Sequence, residues 1–164
     1  MIIEASSSAD PTKGKYAFMN NASEEVSMTL LGDRSAAVVL EQDKQRFRIS
    51  FLKIPDLNNR LWRVEEETKY PCKLSSLNSS DRVTVFATDS SFEWTVYDLA
   101  KRSTRRYEAQ LPGKAHCSLL DVFEMRKDIF VLVFHNEHGR KQLTVYDSTR
   151  TLPGELRPLR TKIA

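Results

Sequence analysis

The chain has 164 residues, of which 29% are charged, and its 25 Lys and Arg against 22 Asp and Glu give a net charge of +3. This charge is too small to predict a nucleic acid or an anionic membrane as a partner by itself. The mean hydropathy is −0.46, and no apolar run reaches the length of a signal peptide or a membrane span. We therefore expect a soluble protein without a membrane partner, long enough for one sizeable core.

The first residues include Ser6 to Ser8, Pro11 and Lys13 and contain no long apolar run, which predicts a flexible N-terminal tail over residues 1–14. The segment after it, residues 15–19, carries Tyr16 and Phe18 and predicts a strand. Tyr16 lies 10 residues before Val26, the same distance that separates an aromatic residue from the following inner strand in both later units. Residues 15–19 therefore match an outer strand that precedes the first complete unit.

The rest of the chain repeats with a period of about 46 residues. Val26 to Leu31 returns as Cys72 to Leu77 and as Cys117 to Val122, at offsets of 46 and 45. Such a period predicts stacked supersecondary units, most often four-stranded propeller blades when the intervening segments have strand patterns. We expect a partial propeller over residues 15–160, with blades at about 26–63, 72–109 and 117–158, and a C-terminal tail over 161–164.

Each unit contains the same four pieces in the same order, separated by polar turns. The second strands are Ala36 to Leu40, Val83 to Ala87 and Ile129 to Val133; the third are Phe47 to Leu52, Phe92 to Tyr97 and Leu143 to Tyr146; the fourth centre on Trp62, Tyr107 and Leu156. The pattern predicts an all-β protein with four-stranded antiparallel blades. We expect Trp62 and Tyr107 to hold equivalent positions that anchor one blade against the next.

Two strand ends and one loop carry a resemblance to a known family. Thr95 to Leu99 and Thr144 to Ser148 each contain Tyr-Asp, and Gln110 to His116 precedes an inner strand. These segments resemble the closing Trp-Asp dipeptide and the segment before the Gly-His pair of WD-repeat β-propellers, whereas the first unit has Leu52-Lys53 at the dipeptide position. The resemblance implies a rigid scaffold whose rims and edges bind other proteins.

Three blades do not close a propeller, because such rings contain four to eight blades. An open stack exposes an apolar blade face and unpaired strand edges. One interpretation is a homodimer of six blades, in which each copy lends its Tyr16 strand to the third unit of the other. The other is a heteromeric complex, in which a different chain completes the ring, and the sequence leaves both open.

The sequence contains no pattern typical of an enzyme or of a cofactor site. Cys72 and Cys117 fall at equivalent points of consecutive repeats, which predicts reduced core residues on the innermost strands and a cytoplasmic or nuclear location. His135 to His138 lies in a predicted hairpin, without the helical spacing of a zinc-binding pair. The five glycines do not form a phosphate-binding loop. We expect no catalytic, metal or cofactor residues.

The densest basic segment predicts a second candidate function. It spans a turn and enters an outer strand, and its basic residues are Lys101, Arg102, Arg105 and Arg106. Together with Tyr16 and Phe18, these are the expected partner-binding residues. The sequence predicts a non-enzymatic protein–protein interaction scaffold that is a subunit of a multiprotein assembly. The alternative is an RNA-associated subunit that uses the basic segment, although nucleic acid is the less favoured partner.

Overall fold

The computed structural model describes residues 25–68, 70–111, 113–150 and 158–163, and the account of side chains ends at Thr149. Within these residues, twelve strands form three four-stranded antiparallel sheets. The predicted all-β class is confirmed, and the sheets have a partial propeller-like arrangement. Among the described residues, no helix is long and apolar enough to cross a membrane.

Within each sheet, every strand pairs with the next strand along the chain, so each sheet is a simple meander. The first sheet contains β1 (Glu25–Leu30), β2 (Ala36–Gln42), β3 (Arg46–Lys53) and β4 (Arg60–Glu67). The second contains β5 (Cys72–Leu74), β6 (Arg82–Ala87), β7 (Glu93–Asp98) and β8 (Ser103–Glu108). The third contains β9 (Ser118–Arg126), β10 (Ile129–His135), β11 (Lys141–Asp147) and β12 (Pro158–Ile163). Lys114–His116 and Ser148–Arg150 are short 3₁₀ helices.

Two boundaries differ from the sequence-based expectation. The inner strand of the second unit ends at Leu74, because Ser75 and Leu77 hydrogen-bond to each other and turn the chain. The fourth strand of the third sheet is Pro158–Ile163, so it does not centre on Leu156, which lies outside the described residues. Residues 161–163, expected in a tail, belong to this strand and pair with β11.

The central hairpin has the same register in all three sheets. The first residue of the second strand pairs with the last residue of the third strand, and these pairs are Ala36 with Lys53, Arg82 with Asp98 and Ile129 with Asp147. Residues of different sheets that lie the same number of positions along the strand from these pairs are therefore equivalent. Because side chains alternate between the faces of a strand, the register also assigns each residue to one of two faces.

One core joins the first and second sheets. It contains buried apolar residues from alternate positions of β2, β3, β6 and β7. Its largest members are Tyr97, Phe51 and Phe47. Trp62 of β4 is half-buried against it, stacked on Phe51 at a ring-centroid distance of 5.3 Å and edge-on to Tyr97 at 6.2 Å. Trp62 thus bridges the two sheets.

A second core joins the second and third sheets and is rich in aromatic residues. Trp94 of β7 is stacked on Tyr107 of β8 with ring centroids 5.7 Å apart. Both rings contact Phe130 of β10, at 5.3 Å from Trp94 and 4.6 Å from Tyr107. Tyr107 therefore contacts the following sheet, as Trp62 does.

The two aromatic residues are not equivalent, and this part of the prediction is wrong. Tyr107 lies opposite Trp94, whereas Trp62 lies opposite Phe51. By the hairpin register, the residue of the first sheet that matches Tyr107 is Val64, two positions from Trp62. A two-residue shift keeps a side chain on the same face of a strand, so both aromatic rings still point at the next sheet.

Candidate protein-interaction site

The third sheet has one face that no other described sheet covers. The face toward the second sheet carries Phe130, Leu132 and Tyr146, all fully buried. The opposite side of the sheet carries six half-buried apolar residues, Phe123, Ile129, Val131, Val133, Leu143 and Val145, and its margin includes Asp121, paired with Val133, and Asp147, paired with Ile129. We call these six residues the third-sheet outer face. Val131 lies at its centre, paired with Val145 on one side and Phe123 on the other.

The equivalent positions in the other sheets are buried. In the first sheet, Val38 and Leu40 match Val131 and Val133, and they are 0% and 2% exposed because the second sheet covers them. Phe86 of the second sheet also matches Val133 and is covered by the third sheet. The third-sheet outer face is therefore the same kind of surface as two faces that pack against a further sheet.

The far face of the first sheet is closed over its centre. Ala37, Val39 and Leu52 are buried there, and Ile54 and Leu57 of the β3–β4 connection pack against them. The expectation that both ends of the stack are uncovered is thus wrong for the centre of this face. What stays exposed is its margin along β1.

A groove of about 330 Å³ runs between β1 and β5. Val26, Met28 and Leu74 contribute apolar surface to it, and Glu25 and Lys73 contribute charge. The groove lies where the inner strands of two sheets meet. Met28 also belongs to the exposed margin of the first sheet, so the groove and this margin are continuous.

The basic outer strand does not present one cationic surface. Arg105 and Arg106 are adjacent on β8 and point to opposite faces. The guanidinium of Arg105 is 3.5 Å from Asp128 near the third sheet, and that of Arg106 is 3.0 Å from Glu66 on the first sheet. Both side chains remain largely exposed, so each ion pair adds little stability. Their charges are split between two neighbouring sheets.

The other predicted site residues are also not assembled into a site. Lys101 and Arg102 are exposed in the turn between β7 and β8, where the amide of Lys101 donates a 3.0 Å hydrogen bond to Asp98. Tyr16 and Phe18 lie outside the described residues. The proposed exchange of the Tyr16 strand needs a free edge on β11, but β12 of the same chain is paired there.

A buried ion pair fastens the second sheet to the third near one rim. The guanidinium of Arg82 on β6 donates two hydrogen bonds to Glu124 on β9, with N–O distances of 2.6 and 2.8 Å. It donates a third, of 3.1 Å, to Asp98. The hydrogen bonds with Glu124 raise the pKa of Arg82. Sequence reasoning did not find this pair, because its members are 42 residues apart and match no repeat motif.

Both thiols are free and belong to the cores. Cys117 is buried just before β9, and Cys72 is half-buried at the start of β5. Burial raises the pKa of both thiols, which disfavours the reactive thiolate. In the described parts of the chain, no three His, Cys, Asp or Glu side chains are grouped so that they could hold a metal ion.

Comparison with known proteins found no match: no protein-family model matches this chain, and no curated protein is significantly similar to it.

Proposed function

We propose that this protein is a non-enzymatic protein–protein interaction scaffold, a WD-like propeller module that serves as a subunit of a multiprotein assembly. The observation that carries the proposal is the third-sheet outer face. Five of its six apolar residues, all but Phe123, occupy positions whose counterparts in the first sheet are buried against the second sheet: Ala36, Val38, Leu40, Ile49 and Phe51. The partner surface that suits this face is another β-sheet with an apolar face.

Energetics favour covering this face. Fully burying an exposed Val, Leu, Ile or Phe side chain contributes about 1.5–3 kcal/mol, so each of these half-buried residues can contribute about half of that amount. Association has its own cost in lost translational and rotational freedom. Six adjacent apolar residues offset that cost better than isolated exposed ones would. They also form a continuous patch, which is typical of interaction sites.

The basic segment is less suited to RNA binding. A phosphate-binding surface needs several cations that follow one backbone path. Arg105 and Arg106 instead point to opposite faces, and each is paired with a carboxylate. A protein partner is therefore the better-supported choice. The two free thiols fit a reducing compartment, and we propose a cytoplasmic or nuclear location.

Site-specific photo-crosslinking tests the docking surface. A photo-reactive amino acid replaces Val145, on the third-sheet outer face, in the full chain expressed in cells. The matched control carries it at Arg102, which is exposed in a turn outside this face. We expect a discrete crosslinked product from position 145 and none from position 102. The proposal is overturned if position 145 gives no product, or if both positions give the same products.

A further inference from the structure

Resting on the proposed function, we infer that the occupant of the third-sheet outer face is the first sheet of a second copy of this chain. Two copies then form one closed ring of six sheets with two-fold symmetry. The two interfaces between copies are identical, and no exchange of strands is needed. Each interface brings together the same two kinds of sheet face that pack between consecutive sheets within the chain, with Ile54 and Leu57 of the β3–β4 connection lying over the centre of the first-sheet face.

Among the described residues, the stack ends in one face of each kind, and only the third-sheet outer face is open over its centre. The second sheet packs one of its faces on the first sheet and its other face on the third sheet. We call the face toward the preceding sheet the backward face and the face toward the following sheet the forward face. On the faces that pack backward, Val83 and Val85 of the second sheet match Phe130 and Leu132 of the third. The third-sheet outer face is of the forward kind. The far face of the first sheet is of the backward kind, closed over its centre by Ile54 and Leu57 and open along β1, so the two end faces are complementary and not alike.

The closest approach between sheets involves inner strands. β5 lies against β1 and β2, and β9 lies against β6. By the same geometry, β1 of a second copy would approach the inner strands of the third sheet. β1 is also where the free backward face stays exposed: Met28 is 56% exposed and Leu30 is 43% exposed.

The exposed residues on β1 have buried equivalents. Met28 pairs with Val39, and its match in the third sheet is Val122, which pairs with Leu132 and is 0% exposed. Val122 is buried because the second sheet lies in front of it. No sheet among the described residues lies in front of Met28, and a second copy would supply one.

In the inferred interface, two apolar residues face each other at the positions that hold an ion pair in the internal interface. In the internal interface, Arg82 of the second sheet is bound to Glu124 of the third. Ile129 is the match of Arg82 at the free forward face, and Leu30 is the match of Glu124 at the free backward face. An ion pair is thus replaced by two apolar residues. A charge on only one side would be buried without a partner.

Ring size agrees with this arrangement. Propellers close with about four to eight blades, and two copies supply six. Each copy gives one forward and one backward face, so a two-fold axis closes the ring and leaves neither face free. A head-to-tail contact that did not close would produce filaments instead.

Analytical ultracentrifugation of the full chain tests the inference, with variants Val131→Asp on the forward face and Leu30→Asp on the backward face. The control is Leu77→Asp, because Leu77 is 62% exposed and belongs to neither face. We expect wild type and the control at twice the chain mass of 18.9 kDa. Each face variant should dissociate at least about 100-fold more readily, because its carboxylate would be buried.

Mixing the two face variants gives the sharpest outcome. A Val131→Asp chain keeps its backward face, and a Leu30→Asp chain keeps its forward face, so a mixed pair has one intact interface. We expect heterodimers in the mixture at concentrations where each variant alone is monomeric. A dimer that joined two third sheets would be insensitive to Leu30→Asp and would show no rescue, and either result overturns the inference.

Failure of this inference can be distinguished from failure of the proposed function. A monomeric wild-type chain whose position 145 crosslinks to a different protein overturns the second copy as occupant and keeps the scaffold. A monomer without any crosslink at position 145 overturns both.

Discussion

The hydroxyl of Tyr107 donates a 2.8 Å hydrogen bond to Oδ1 of Asp128 and so ties the outer strand of the second sheet to the β9–β10 turn of the third. The same carboxylate is 3.5 Å from the guanidinium of Arg105. Tyr107 is otherwise buried among Trp94 and Phe130. One side chain thus contributes both apolar packing and a polar bond to the contact between two sheets.

Replacing Tyr107 with Phe should lower the stability of the fold more than the same replacement at Tyr146. Tyr107→Phe removes the bond to Asp128 and should lower the free energy of unfolding by about 1–2 kcal/mol. The matched variant is Tyr146→Phe, because the Tyr146 hydroxyl is buried without a hydrogen-bond partner among the described residues. That change should be neutral or stabilising. Urea unfolding of both variants measures the difference, and equal losses would contradict the assigned bond.

Alkaline pH should destabilise the fold through these tyrosines. Burial, and for Tyr107 also the bond to Asp128, raises the pKa of Tyr107 and Tyr146 above the ordinary value. Below about pH 10 the hydroxyls are protonated in both states, so they add no pH dependence. Above it the unfolded chain releases protons first, binds fewer than the folded chain, and stability falls as pH rises.

Urea unfolding at a series of pH values between about 8 and 11.5 measures this slope. Tyr146→Phe should make the slope shallower, because one buried titrating group is removed. A stability that stays constant across the range would contradict the burial of these hydroxyls.

The ion pair between Arg82 and Glu124 predicts that a single variant is less stable than the double variant. Arg82→Met leaves Glu124 and Asp98 buried without their cation and should cost about 3–5 kcal/mol. Adding Glu124→Leu removes one of the stranded carboxylates and should recover a large part of that loss. Thermal or urea unfolding checks both variants, and a double variant that is less stable than Arg82→Met would show that the pair is not coupled.

Gly32 marks a close contact between two turns. Its amide donates a 2.8 Å hydrogen bond to the carbonyl of Ser79, and a Cβ at Gly32 would be 2.8 Å from the carbonyl oxygen of Asn78. Gly32→Ala should therefore cost about 1–3 kcal/mol by overpacking. Ser79→Ala is the control, because it keeps the Ser79 carbonyl in place. An unchanged melting temperature for Gly32→Ala would contradict this approach of the turns.

The repeat in the sequence was sufficient to predict the sheets but not the contacts between them. The apolar runs of β2, β6 and β10 and their polar turns are local signals, and the structure has strands at all three. Trp62 shows the limit: counting 10 residues to the next inner strand aligned it with Tyr107, whereas the strand pairing places Trp62 opposite Phe51 and Tyr107 opposite Trp94, two positions apart.

The candidate site was harder to predict for a physical reason. Ile129 to Val133 is apolar at every position, which indicates a strand with two apolar faces but does not show which face lacks a cover. That depends on which sheet lies next to it. The basic segment illustrates the opposite limit, since Arg105 and Arg106 are neighbours in sequence but point to different sheets.

The shared hairpin register has a consequence for how this architecture can change in length. Because each unit ends in a face that accepts the next unit, a tandem duplication of the coding sequence would place six units in one polypeptide. The junction between the two halves would then be covalent, and closure would no longer depend on protein concentration. If two copies associate as proposed, such a fused chain would keep the proposed interfaces and convert their association equilibrium into a folding equilibrium.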